Sequence, residues 1–291
     1  MTDGTERVAC VGSSPTDAPN GSPIALVTND DGLGAQGLMR LRDALRASGM
    51  RVVVVGPSTN HSGGGHGVSM RAALRLSRRG DDVWECSGTP ADCVRVGVLS
   101  GLVPAPAVVV AGINHGANAG DDVRYSGTVA AAAEAALLGV PALAASQHGP
   151  DSGVPFLPSE PYSFPYAEYV ARLARWLSTA ALPSGLLLNV NLPQRATTSI
   201  VALAEVGARR WRTAAVAIAD GGPDDYVLTP WSRQPSTDYG AQNGDFALLA
   251  AGTATVTVLS AAAGGLRDVL ETHRHHMTTM PADLASRTGP S

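Results

Sequence analysis

A chain of 291 residues with 44% hydrophobic residues, 16% charged residues and a net charge of -4 can bury the core of one large domain or two small ones, and is too acidic for a polybasic nucleic-acid binder. All 21 basic residues are arginine, which excludes any chemistry that needs a lysine, such as a P-loop phosphate contact or a pyridoxal Schiff base. Cys10, Cys86 and Cys93 are odd in number and form no CxxC, so neither a disulfide framework nor a zinc site is indicated and a reducing cytoplasm fits.

Residues 1–22 are polar, lack the apolar run of a signal peptide and read as a flexible extension. Ile24–Thr28 (IALVT) reads as a strand, followed by Asn-Asp-Asp-Gly and by Leu38, Leu41 and Leu45 at helical spacing. After Arg51, residues 52–55 (VVVV) are continuously apolar, as in a parallel strand covered on both faces, and the strand 51–55 stops at Gly56-Pro57. A glycine-rich loop, residues 60–67, precedes a polar stretch to Arg79 that suits a hairpin, and then a strand at Val83–Cys86. Thr89-Pro90 places a capping hydroxyl and a proline at the start of a helix over 91–99.

Residues 107–111 (AVVVA) form the next buried strand, before a second glycine-rich loop at 112–127 and an alanine-rich helix over 128–138, which Gly139 and Pro141 terminate. A strand follows at 142–145. The longest uncharged stretch, 96–120, is broken by Pro104 and Pro106, so no membrane span is expected. This alternation predicts a doubly wound α/β sheet with ligands at its strand ends. Beyond a Pro- and Ser-rich loop at 149–165, Val170, Leu173, Ala174 and Leu177 mark an amphipathic helix, and 186–191 and 253–259 read as strands. Residues 194–244 are weakly patterned with hairpin character, and the tail 273–291, with His273, His275 and His276, reads as frayed.

Asn29-Asp30-Asp31-Gly32 closes the first strand. Adjacent carboxylates repel unless positive charge lies beside them, and a divalent cation supplies it; the turn at Gly32 lets side chains that would otherwise point to opposite faces reach one ion. Oxygen donors without cysteine or a histidine triad suit Mg²⁺ or Mn²⁺ rather than zinc. Read alone, the pair is equally compatible with one aspartate capping the next helix and the other in solvent. Gly32, Gly34 and Gly37 also spell GxGxxG, but two acids at its mouth would repel a pyrophosphate, and Val55-Gly56-Pro57 stands where a ribose-binding acid belongs, so no dinucleotide site is read here.

Ser62 lies in a loop whose backbone amides suit an anion. Asn114 and Asn118, in GINHGANAG, offer a carbonyl oxygen to a hard metal and an amide to a phosphate. Tyr125-Ser126-Gly127-Thr128 opens a helix with hydroxyls and free amides, a ready phosphate cradle. Each segment alone also reads as an ordinary turn or cap. Together they describe a metal on acids beside a phosphate on amides and hydroxyls, which is phosphate-ester chemistry. His66 and His115 flank the site and read as supporting or solvated groups.

The blocks TNDDG, NHSGG, SGTPADCV, GINHGANAGDDVRYSGTVAAAAEAALLGVPALA and LNVNLP resemble the SurE survival-protein family of metal-dependent 5′(3′)-nucleotidases, over residues 24–259. The resemblance implies a three-layer Rossmann-like α/β domain over 23–265, its sheet mostly parallel, with a β-rich arm at about 195–245 through which copies associate as a homodimer or homotetramer. It implies one divalent ion per subunit, Mg²⁺ or Mn²⁺, on Asp30, Asp31, Ser62 and Asn114, and a substrate phosphate on Asn118, Ser126, Gly127 and Thr128. The expected reaction is hydrolysis of nucleoside monophosphates, with Asp30 or Asp31 accepting the proton of a water; the partner is a small phosphorylated molecule, not a nucleic-acid duplex or a membrane. The family's Thr-Asp-(Phe/Tyr) segment is Gly244-Asp245-Phe246 here, and Thr253 replaces an aromatic residue often found after the glycine at 252. Because the second half departs in this way, two other functions stay open: the same chemistry on a sugar phosphate or a phosphorylated secondary metabolite, and a non-catalytic, metal-dependent nucleotide-binding module.

Overall fold

A computed structural model of the chain describes residues 21–149, 162–180, 182–208, 214–217, 226–229, 244–261 and 280–284. Nearly all of the expected N-terminal extension, most of the Pro-rich loop, and His273, His275 and His276 lie outside the described residues.

The apolar runs become the centre of a nine-stranded sheet: β1 (Ile24–Thr28), β2 (Arg51–Pro57), β5 (Val108–His115), β6 (Ala142–Gln147) and β7 (Leu186–Leu192) are parallel neighbours in the order β2-β1-β5-β6-β7. Strand parity divides them between two cores. Ala25, Val27, Val52, Val54, Val108 and Val110 face the layer that contains α1 (Gln36–Ala47) and α4 (Ala167–Leu177). Leu26, Val53, Val55, Val109 and Ala111 face α2 (Pro90–Leu99) and α3 (Gly127–Leu137). Alanines buried at 131, 132, 135 and 136 bring α3 close to the sheet. Gly97 does the same for α2, since a Cβ there would stand 2.5 Å from Leu26 Cδ2. Thr89 caps α2 as expected, and Asp92 returns the bond in a capping box.

The polar stretch before residue 79 supplies β3 (Leu76–Gly80), antiparallel to β4 (Val83–Cys86), and the pair extends the sheet beyond β2. β5 runs past the expected end at 111, because a register irregularity between Ala111 and Asn114 carries pairing with β6 on to His115. Gly112 sits in that irregularity at φ 131, where a Cβ would meet the Ala145 carbonyl oxygen at 2.3 Å.

In the second half, β11 (Ala254–Ser260) pairs antiparallel with β7, and β8 (Val201–Ala204) pairs parallel with β11 at the far edge. Thus the first part of the expected arm, β8, belongs to the main sheet. β9 (Ala214–Ala217) and β10 (Tyr226–Thr229) form a separate antiparallel pair, the hairpin character expected there. α5 (Asp245–Ala250), between Gly244 and Gly252, was not anticipated. Within the tail, residues 280–284 meet the sheet: the Val201 amide donates to the Ala282 carbonyl at 3.0 Å, the Leu284 amide to the Ser199 carbonyl at 2.9 Å, and Met280 and Leu284 pack on the core. The segment covers an edge of the sheet that would otherwise present unpaired amides. Among the described residues, no helix is long and apolar enough to cross a membrane.

Candidate active site

The chain turns from β1 to β2 on one side and later places β5 on the other side of β1. The strand order therefore reverses between β1 and β5, and the crevice beyond their carboxyl ends is where a doubly wound sheet can admit a ligand. The Asn-Asp-Asp-Gly turn and the GINHG segment both open into it.

Neither aspartate caps α1, whose N-cap is Ala35 without a side-chain bond, so the capping reading of the pair is excluded. Asn29 makes the turn by donating its amide to the Gly32 carbonyl at 2.9 Å. Asp30, 3% exposed, instead meets the N-terminus of α3: the Thr128 hydroxyl donates to its Oδ1 and the Thr128 amide to its Oδ2 at 3.1 Å. Gly127 makes this approach possible, because a Cβ there would lie 2.8 Å from Asp30 Cβ. Burial, and secondarily the Asp31 carboxylate, push the Asp30 carboxyl up to about 6 despite the Thr128 bonds, which oppose the rise. Asp31 accepts from the His115 ring Nδ1 at 2.8 Å and from the His115 amide at 3.2 Å, and Tyr162 and Phe164 pack edge-on against that ring.

The other expected residues sit on segments tied to these two acids. The 60–67 loop is stapled by the His61 amide to the Asp30 carbonyl (2.7 Å) and by the Gly65 amide to the Tyr125 carbonyl (2.9 Å), which brings Ser62 beside the site. The Ser62 amide donates to Asn60 Oδ1, while its hydroxyl has no protein partner among the described residues. Asn114 donates its amide to the Gly116 carbonyl at 2.9 Å, and its side-chain oxygen likewise receives no bond from the described residues. Ser126 caps α3 through the Val129 amide. Asn118 donates its side-chain amide to Ser146 Oγ at 2.7 Å, and Ser146 is the strand partner of Asn114, so the two asparagines meet across one serine. Of the two histidines, His115 supports Asp31, whereas His66 bonds Glu134 at 2.8 Å on the α3 side.

Sequence reading missed the groups that seat Asn118. Asn191 Oδ1 takes the Asn118 amide at 2.8 Å, and the side-chain amides of Asn189 and Asn191 both donate to the Asn118 carbonyl, at 2.8 and 3.0 Å. Asp245, fully buried, accepts the backbone amides of Gly120, Gly207 and Phe246, and burial raises its carboxyl. The signal for the asparagines was present in LNVNL, where polar residues alternate on one face of an otherwise apolar strand.

The donor set can be tested against a metal. No arginine pairs with Asp30 or Asp31 among the described residues, and none of those residues forms a cluster of three or more His, Cys, Asp or Glu side chains of the kind a softer ion would use. Two carboxylates without an arginine partner, together with an uncommitted hydroxyl on Ser62 and an uncommitted amide oxygen on Asn114, fit a hard divalent ion.

Comparison with known proteins supports the same architecture. The family model described as survival protein SurE matches residues 25–213. The 5′-nucleotidase SurE of Aeromonas hydrophila is 37% identical over 245 residues, covering 81% of this chain and 91% of that protein. The protein of the same name from Deinococcus radiodurans is 40% identical over 245 residues, covering 80% and 87%. The crystal structure of the SurE protein from Aquifex aeolicus superposes with a TM-score of 0.70 at 29% identity, over 87% of this chain and 99% of that one.

Proposed function

Because the chain belongs to the SurE family, we propose that it is a divalent-metal-dependent phosphomonoesterase that hydrolyses nucleoside monophosphates. The observation that carries the reading is Asp30: a buried carboxylate lodged in a helix N-terminus beside a second carboxylate, with no arginine among the described residues to balance the pair. Asp30, Asp31, Ser62 and Asn114 would hold one ion, Mg²⁺ or Mn²⁺. When bound, such an ion supplies positive charge to the phosphoryl oxygens and acidity to a water.

The chain's own groups do the rest. The start of α3 would offer the phosphate the Ser126 hydroxyl, the Gly127 amide and the positive end of the helix dipole, to hold the charge that develops on its oxygens, while Thr128, whose hydroxyl and amide are given to Asp30, would tie that cradle to the acid pair. Asn118, its backbone clamped by Asn189 and Asn191, would add a side-chain contact to the phosphate. Of the two acids, Asp31 is the better placed to take the proton of the attacking water: both Asp30 oxygens are engaged by Thr128, whereas Asp31 faces the cleft and His115 fixes its orientation. The β9–β10 ribbon is assigned to contacts between copies, since a two-stranded sheet is marginal by itself. The buried free thiols of Cys86 and Cys93 fit a cytoplasmic location.

The test is phosphate release from a panel of nucleoside monophosphates and small phosphate esters, with Mn²⁺, with Mg²⁺ and with chelator, for the wild type and Asp31→Ala. Metal-dependent release from nucleotides that the substitution abolishes is the expected result. Release only from other esters would replace the substrate, and binding without release would replace the enzyme by a binding module.

A further inference from the structure

Asp31 and His115 line a cleft of about 450 Å³ together with Ser58, Thr59, Asn60 and Glu85. Its shape follows from β2. At Gly56 a Cβ would stand 2.9 Å from Leu33 Cδ1, so the glycine lets the turn after Asp31 lie down on the strand. Strand register pairs Gly56 with Glu85, which sets the glutamate beside that turn. Arg79 bonds one Glu85 oxygen, Oε1, at 2.5 Å; the other oxygen has no bond among the described residues, and the side chain is 27% exposed.

We propose that this cleft receives the leaving group of the phosphate ester, and that Glu85 selects one carrying vicinal hydroxyls, a ribose or a comparable sugar. The proposal rests on the phosphomonoesterase reading above. The cleft shares Asp31 with the acid pair, so an ester whose phosphorus lies at that pair can extend directly into it. Among the described residues the one ring lining the cleft is the His115 imidazole, already packed edge-on against Tyr162 and Phe164, and no Phe, Tyr or Trp is there to stack a base. No arginine lines it among the described residues, and its two carboxylates, Asp31 and Glu85, disfavour a second phosphate. What suits it is a neutral group rich in donors: the Glu85 oxygen that Arg79 leaves free has lone pairs for adjacent hydroxyls, and the Ser58 and Thr59 hydroxyls add partners.

The experiment compares kcat/KM of the wild type and Glu85→Ala on adenosine 5′-monophosphate, ribose 5-phosphate, the 2′,3′-dideoxy nucleotide and p-nitrophenyl phosphate. Loss of a charge-assisted bond predicts a fall of about tenfold on the two ribose esters and none on the other two. Calorimetric titration with adenosine and with 2′,3′-dideoxyadenosine gives a readout without turnover: the wild type prefers adenosine and Glu85→Ala does not. An equal loss on all four esters makes Glu85 merely structural and overturns the proposal, as does no loss on any. A wild type that discriminates against ribose 5-phosphate as it does against p-nitrophenyl phosphate also overturns it, because the base and not the diol is then read. If the wild type releases nothing from p-nitrophenyl phosphate or any other ester, the phosphomonoesterase reading itself has failed and the subsite falls with it.

Discussion

Asp30 gives the site a measurable cost in stability. Its carboxyl rises from the ordinary 3.8 to about 6, first through burial and then through Asp31. An acid whose folded pKa is raised binds its proton more tightly in the folded chain than in the unfolded one. It therefore favours the fold below about pH 4, and that advantage is lost as pH climbs through 6. At about 1.4 kcal/mol for each pH unit the rise corresponds to about 3 kcal/mol, of which about 2 kcal/mol falls between pH 4.5 and 8. Asp30→Asn keeps an acceptor for the Thr128 hydroxyl and removes the ionisation. Its new NH₂ opposes the Thr128 amide at a cost of about 1–3 kcal/mol that does not vary with pH. In urea unfolding with chelator present, the stability difference between wild type and Asp30→Asn should shift by about 2 kcal/mol toward the variant from pH 4.5 to 8. Millimolar Mn²⁺ or Mg²⁺ at pH 8 should then stabilise the wild type and leave the variant unchanged. A difference that is flat across this range would refute the account of Asp30 as a buried carboxylate awaiting a cation.

Two further substitutions probe the cradle. Gly127→Ala puts a Cβ 2.8 Å from Asp30 Cβ and 2.9 Å from its Oδ2, so it should cost about 1–3 kcal/mol in denaturant and abolish phosphate release; wild-type activity in this variant would show that Asp30 and α3 need not touch. Asn191→Leu strands the Asn118 amide and should cost about 1–3 kcal/mol while weakening inhibition by inorganic phosphate; Val190→Ala, on the opposite face of the same strand, should lose stability with that inhibition unchanged, and equal inhibition in both variants would remove Asn191 from the site.

The readable parts of the fold were those whose partners are implied by the residues themselves. The runs at 52–55 and 107–111 are apolar at every position, as a strand covered on both faces requires, and Thr89-Pro90 announces its helix locally. β8 and α5 were illegible for the opposite reason. Leu203 is 59% exposed, so VALA carries no clean alternation. α5 has six residues, and the Asp245 at its start is held by amides of Gly120 and Gly207, distant in sequence. The site divides the same way. Asp-Asp-Gly was visible as a charge problem, but its solution on α3 lies 98 residues away, and nothing local distinguished it from a helix cap.

The second half of the chain, where the sequence pattern is weakest, bears on the site through one face of the sheet. On β7, Leu188 and Val190 point into the core under α1 and α4, so Asn189 and Asn191 point to the opposite face, as do their strand partners Thr257 and Thr255 on β11 and Ser146 on β6. That face is apolar under α3 and becomes polar beyond the N-terminus of α3, where the Asn118 loop crosses it. A loop buried on an apolar face would leave its backbone amides and carbonyls unpaired, at about 1–3 kcal/mol each. The polar ladder receives them instead, and the Asn118 amide and carbonyl and the Gly120 amide all find side-chain partners there or on Asp245. The loss of a familiar threonine before Asp245 therefore leaves this support intact, since the carboxylate itself makes the bonds.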